Sequence, residues 1–168
     1  MNPSDWLQRW APHVAGGPGT ALDVACGGGR NLRWLAQAGW RVTGVDRDEA
    51  AIAPLASLAR IVQADIESAP WPLPGESFDL VLVCNYLWRP CLEAIRASVK
   101  PSGWLIWETF ADGQQHIGRP RRPEFLLQRG ELLRVFNDWH IVAYEDVFES
   151  GVNPRYVQRV AAVKPPAA

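Results

Sequence analysis

The chain has 168 residues, a length that suits one domain, since globular domains cluster at roughly 100–150 residues. Apolar residues make up 48% and charged residues 21%, the balance of a folded globular protein rather than a disordered one. A net charge of −1, from 17 Lys and Arg against 18 Asp and Glu, argues against nucleic acid or an anionic membrane as a partner.

In chain order, Trp6, Leu7, Trp10 and Val14 carry the spacing of an amphipathic helix, capped by Ser4 or Asp5 and ended by Gly16-Gly17-Pro18-Gly19. Ala21-Leu22-Asp23-Val24-Ala25 reads as a first strand and Cys26-Gly27-Gly28-Gly29 as a tight loop. A helix is expected over 30–38, closed by Gly39, and a second strand over 40–45 that ends in Asp46. Asp48 caps a short helix reaching Leu58, with a break expected at Pro54. Residues 61–64 form a brief third strand with Asp65 at its end, and Pro70-Trp71-Pro72-Leu73-Pro74-Gly75 is a connection. The near-continuous apolar run 78–84 predicts a strand buried on both faces. Leu92, Ile95 and Val99 space a helix stopped by Pro101-Ser102-Gly103, and residues 104–107 form a fifth strand. A long loop rich in Gly and Arg leads to a helix over 131–136, then to strands over 140–147 and 156–163 around a turn at 151–154.

Short strands alternating with helices predict an α/β fold, Rossmann-like, whose seven-stranded, mostly parallel sheet has helices on both faces. The last two strands lack an intervening helix, so a C-terminal antiparallel hairpin should form one edge. One domain is expected, with residues 1–19 as an N-terminal cover, 20–163 as the core and 164–168 as a tail. The three cysteines, Cys26, Cys84 and Cys91, have no C-x-x-C spacing and no clustered histidines, so no metal site is expected. No apolar run has the length of a signal or a membrane span, and the expected location is the cytoplasm.

In open α/β sheets ligands bind outside the carboxyl ends of the strands. Those ends here bear Gly27-Gly28-Gly29, Asp46, Asp65, Cys84-Asn85-Tyr86 and Glu108-Thr109. Glycines let a ligand approach the backbone at the start of a helix, whose N-terminus favours electron-rich groups. A carboxylate such as Asp46 has two oxygens with which to accept from the vicinal hydroxyls of a ribose. Asp65, one strand further on, can accept from an exocyclic amine. Each feature alone is equally a turn, a helix cap or a solvated charge; their order and spacing carry the nucleotide reading. Leu32 occupies the third-glycine position of a dinucleotide fingerprint, and Asp23 opposes a pyrophosphate, so an NAD(P)-dependent oxidoreductase is a remote alternative.

Leu22-Asp23-Val24-Ala25-Cys26-Gly27-Gly28-Gly29-Arg30-Asn31 resembles the first motif of class I S-adenosylmethionine-dependent methyltransferases. Val42-Thr43-Gly44-Val45-Asp46 resembles their second motif, and Pro72-Leu73-Pro74 with Ser77-Phe78-Asp79-Leu80-Val81 their entry to the fourth strand. Within the family the chain looks most similar to the small bacterial branch that includes tellurite-resistance methyltransferases. The resemblance implies S-adenosyl-L-methionine as cofactor and S-adenosyl-L-homocysteine as product, with methyl transfer to a small-molecule acceptor. It implies Asp23, Ala25, Cys26, Gly27, Gly29 and Arg30 around the methionyl part, Asp46 and Arg47 at the ribose, Asp65 and Ile66 at the adenine, and Cys84 and Asn85 on the floor. Two departures stand out: the first motif starts at residue 22, leaving little chain for a lid, and Ala25 replaces a common glycine. A cofactor-binding module that is catalytically silent and serves a partner protein is the alternative.

The acceptor side is less defined. No evident general base is present; His116, in the long loop, is the one histidine placed near an acceptor, and Tyr86 can hold a nucleophile. Trp88 and Arg89 follow the fourth strand, where an acceptor meets the methyl group, and Arg119 belongs to a loop that could attract an anion. Five arginines against two glutamates give residues 115–134 a local charge of +3. A soft thiol or chalcogen nucleophile would need no base. Of nine tryptophans, Trp6 and Trp10 are candidates to cover the cleft, Trp88 to touch an acceptor, and Trp34, Trp40, Trp104, Trp107 and Trp139 to pack the core.

Overall fold

The computed structural model describes residues 2–168. Seven strands form one sheet: β1 (Thr20–Val24), β2 (Arg41–Asp46), β3 (Arg60–Gln63), β4 (Phe78–Cys84), β5 (Val99–Phe110), β6 (His140–Glu149) and β7 (Arg155–Val163), in the order β3-β2-β1-β4-β5-β7-β6. The first five pair in parallel, and β7 pairs antiparallel with both β5 and β6. The hairpin therefore makes the expected edge, with β7 inserted beside β5 and β6 left outermost. Chain order reverses between β1 and β4, so the carboxyl ends of those two strands flank a crevice.

Helices cover both faces. On one side α1 (Asp5–Trp10), α2 (Arg30–Gln37) and α3 (Glu49–Ile52) bury Trp6, Leu7, Leu32, Leu35 and Ile52 against Leu80, Leu82 and Ile106. On the other, α4 (Leu92–Ala97) and α5 (Glu131–Val135), with Phe136 just after it, bury Ile95, Leu132 and Phe136 against Val81, Val83 and Trp107. Alternate residues of β4 feed the two cores, which is why its sequence is apolar throughout.

Pro54 stops α3 as expected, and a 3-10 turn at Ala53–Leu55 takes over. The larger departure is Val99, placed by its spacing in a helix but found at the start of β5. Pro101-Ser102-Gly103 does not end an element; it lies inside β5 at a register shift against β4, with Ser102 at a φ of 62°. An added Cβ on Gly103 would stand 2.8 Å from the Lys100 carbonyl, so the bulge requires glycine there.

Candidate active site

The glycine loop is built by an unusual run of backbone. Ala25, Gly27 and Gly29 have φ values of 53°, 51° and 74°, a region that L residues with side chains seldom adopt. The Cys26 N–H still reaches the Val45 carbonyl at 3.0 Å, so the loop leaves the sheet only after that bond. The three glycines differ in use. A Cβ on Gly27 or Gly28 would meet nothing, whereas one on Gly29 would lie 2.6 Å from the Leu55 side chain. Gly29 thus seats α2 against its neighbours, and Gly27 and Gly28 face open space.

Two adjoining lobes lie along the carboxyl ends of the strands, with Ala25 lining both. The first, about 220 Å³, is bounded by Asp46, Arg47, Asp65, Ile66, Glu67 and Tyr86. The second, about 350 Å³, is bounded by Asp23, the 26–29 loop, Arg30, Asn31, Cys84 and Asn85. All twelve residues that the family resemblance assigns to a cofactor line one lobe or the other. Cys26 does so through its backbone, because its sulfur turns toward Gly44, where an added Cβ would sit 2.9 Å away.

Asp46 holds the junction of the lobes. Its two oxygens accept from the N–H groups of Gly27 at 2.7 Å and Asp48 at 3.0 Å. Each carboxylate oxygen keeps a further lone pair for a ligand. Asp65 accepts from the Glu67 N–H at 3.0 Å, and this bond heads the causes that hold its carboxyl below the usual range. Arg47 stands 3.8 Å from Asp65 across the mouth of the first lobe.

Asp23 is only 2% exposed, and its Oδ2 has no hydrogen-bond partner. Burial pushes its carboxyl up to about 7, against the pull of Arg30 in the opposite direction. The Arg30 guanidinium contacts the Cys84 sulfur at 3.0 Å and the Asn2 carbonyl at 2.9 Å. Burial likewise pushes the Cys84 thiol up to about 11.

The groups expected on the acceptor side fall elsewhere. Tyr86 turns into the Asp46–Asp65 lobe, where its hydroxyl is buried without a partner and burial raises its phenol well above the usual range. Trp88 packs on the core that α4 and α5 cover. Arg89 is fastened by two bonds to Glu131, at 2.7 and 2.8 Å, and by the carbonyls of Glu124 and Leu126, so its charge is consumed within the fold. His116 and Arg119 are exposed and line neither lobe. Trp6 and Trp10 also stay out of both lobes: Trp6 is buried in the core and Trp10 packs on it.

The segment before α1 reaches the site instead. Ser4 N–H donates to Asn31 Oδ1 at 2.8 Å, and Ser4 Oγ donates to the buried Glu108 at 2.9 Å. Asn31 and Glu67 were given no role by sequence, and Glu108 was named only as a strand end. Asn31 directly follows the glycine loop, which is a usable signal. The pairing of Glu108 shows only once β5 and β7 are joined, because their register sets it opposite Arg159.

A crevice at the switch point of a seven-stranded sheet, with a glycine loop and an acidic residue on the next strand, is the nucleotide-site arrangement of a class I methyltransferase. Residues 22–107 match the methyltransferase domain family, and the chain belongs to it, as a class I S-adenosylmethionine-dependent member. It is 33% identical over 116 residues to the ubiquinone biosynthesis O-methyltransferase of Bordetella bronchiseptica, covering 62% of this chain and 47% of that one. The chain spans about half the length of the curated O-methyltransferases it matches. Among solved structures, TehB of Haemophilus influenzae superposes with a TM-score of 0.75 at 20% identity, over 95% of this chain and 61% of that one. The glycopeptide N-methyltransferase MtfA, crystallised with S-adenosylmethionine, superposes with a TM-score of 0.68 at 17% identity, over 98% and 95% of the two chains. At these identities the likeness to the solved structures is one of fold. Among the described residues no helix is long and apolar enough to cross a membrane, and no cluster of metal-ligating side chains occurs.

Proposed function

We propose that this chain transfers a methyl group from S-adenosylmethionine to a small-molecule acceptor. The observation that carries the reading is the pairing of two contiguous lobes with chemically different walls. The first has carboxylates at successive strand ends, suited to a ribose and an exocyclic amine, beside the apolar Ile66. The second joins a buried carboxyl carrying a free oxygen to a guanidinium whose contacts are a thiol and a carbonyl. Asp23 and Arg30 together suit the ammonium and carboxylate of an amino-acid head. Asp46 suits the ribose hydroxyls, with Asp65 and Ile66 beside the base. An NAD reading fares worse, because a pyrophosphate at the glycine loop would face Asp23.

When bound, S-adenosylmethionine supplies an electrophilic methyl group on a sulfonium centre. The protein's own part is positioning and exclusion of water. Asn85 sits at the exposed end of β4 with a φ of 55°, held by its N–H bond to the Glu108 carbonyl at 2.8 Å, and we assign the acceptor's approach to this corner. The lobes are lined by carboxyl, phenol, thiol and guanidinium groups, and the acceptor that suits them carries its nucleophile already ionised, as a thiolate or reduced chalcogen does. The relatives name both an O- and an N-methyltransferase, so the acceptor is not inherited from them.

Calorimetry with S-adenosylhomocysteine and with NAD tests the cofactor, and the expected result is binding of the first alone. A screen of thiols, chalcogen oxyanions and small carboxylates for S-adenosylhomocysteine release tests the acceptor. Tight cofactor binding without turnover on any of them would favour a silent module serving a partner.

A further inference from the structure

Asp23 does more in this cleft than match a charge. Resting on the cofactor reading above, we propose that filling the second lobe expels one proton from Asp23, so that cofactor uptake is coupled to proton release.

The geometry isolates this carboxyl. β1 holds it inside the sheet at 2% exposure, and one oxygen is unpartnered at the wall of the lobe. From α2 it faces Arg30 and the backbone of Leu32, and from β2 it faces Asp46. Cys26 in the glycine loop and Cys84 on β4 complete the charged and titratable surroundings. One cation and one further carboxylate thus bear on Asp23, while burial disfavours its charge; the carboxyl is therefore about half protonated near pH 7. An ammonium group placed in the lobe adds a second cation next to the carboxyl and favours its ionised form. The O–H bond of Asp23 then breaks, the electron pair stays on the carboxylate, and the proton leaves to solvent.

Among the described residues, the two thiols that line the lobe do not share in this exchange between pH 6 and 8. The Cys26 and Cys84 thiols, pushed up to about 12 and 11 by burial, stay protonated throughout. None of the three histidines lines either lobe.

The test is isothermal titration calorimetry of S-adenosylhomocysteine at pH 6, 7 and 8, each in two buffers of different ionisation enthalpy. Release of about 0.9, 0.5 and 0.1 proton is expected in turn, with affinity rising about fivefold from pH 6 to 7 and less than twofold beyond. Asp23→Asn should bind with no proton exchange and no pH dependence in this range. A carbon-13 titration of the Asp23 carboxyl in the wild-type protein needs no variant; its midpoint near pH 7 should vanish on saturation with S-adenosylhomocysteine. Wild-type binding whose heat is independent of buffer overturns the coupling and leaves the cofactor reading standing. Proton release that persists in Asp23→Asn overturns the assignment to Asp23. Failure of S-adenosylhomocysteine to bind at any pH overturns the cofactor reading itself.

Discussion

The two ends of the sheet treat their polar groups in opposite ways. Along β1 to β4 the strand ends leave groups unspent: Asp23 has a free oxygen, the Tyr86 hydroxyl has no partner, and Arg30 is in no ion pair among the described residues. From β5 onward the charged groups are paired with one another, although Glu108 Oε2 and Arg159 Nε are held by ion pairs at 3.3 Å without a hydrogen bond. Arg89 is locked to Glu131, Arg155 to Glu149 at 2.5 Å, and Arg159 to Glu108, Glu145 and Glu149. Gln158 bridges the Leu132 N–H and the Gln128 carbonyl, tying β7 to α5. A site awaiting a ligand must keep donors and acceptors unsatisfied at some cost in stability, whereas a scaffold does the reverse. On the proposed cofactor reading, the first half of the sheet is the binding half and the second the frame.

The sharpest way to break that contrast is Asp46→Ala. Losing charge-assisted bonds at about 1.5–3 kcal/mol each to two ribose hydroxyls should weaken S-adenosylhomocysteine binding roughly 10²–10⁴-fold. The Gly27 and Asp48 N–H groups also lose their acceptor, which adds to the effect. Calorimetric affinity within threefold of wild type would show that Asp46 braces the loop and holds no ligand.

Asp23→Asn sharpens the same contrast from the side of stability. The folded-state pKa, about 7, lies above the ordinary aspartate value of 3.8 that the unfolded chain should keep, so the folded state holds this proton more tightly. The contribution is present in full below the unfolded value and is lost as pH rises through 7. Without ligand, the wild type should lose roughly 4 kcal/mol relative to the variant between pH 4 and 8, measured by denaturant unfolding. Parallel pH profiles for the two proteins would contradict a buried ionising carboxyl. Removal of a binding group that stabilises the empty protein is the signature expected of the binding half.

In the frame the prediction inverts. Glu131→Ala strips Arg89 of its carboxylate partner while leaving two carbonyl acceptors. It should cost about 1–2 kcal/mol of stability, because the pair is partly screened by solvent, and leave S-adenosylhomocysteine affinity unchanged. A large loss of affinity would place this loop in the site after all.

How far the site could be read from the chain follows the same division. The glycine loop, Asp46 and Asp65 are local signals: each sits at a strand end fixed by a short apolar run, so its place in the fold follows from the sequence nearby. Val99 was misplaced because three apolar residues at helical spacing also suit a helix followed by a strand, and the bulge at Ser102 is visible only against β4. Arg89 turns away from the cleft for a related reason. Its position after β4 is local, but its direction is set by Glu131, which comes from another part of the chain. The seven strands were all anticipated, while the place of β7 inside β6 depends on which edge meets β5, a tertiary choice with no local cue.

The smallest effect concerns the arginine-rich loop, whose excess positive charge suggests electrostatic attraction of an anionic acceptor. Arg119, Arg121 and Arg122 are exposed, and Arg122 is already within 3.2 Å of Glu124 and stacked over Phe125. Charges so placed act through solvent, where the screening length is about 8 Å at physiological salt. Replacing all three by Ala should therefore shift stability by no more than about 0.5 kcal/mol per site and leave S-adenosylhomocysteine affinity unaltered. For an acceptor identified by the release screen, KM at physiological salt should stay within twofold of wild type, with any larger change confined to low salt. A severalfold rise in KM that survives physiological salt would mean that at least one of these arginines touches the acceptor, and the frame would then hold part of the site.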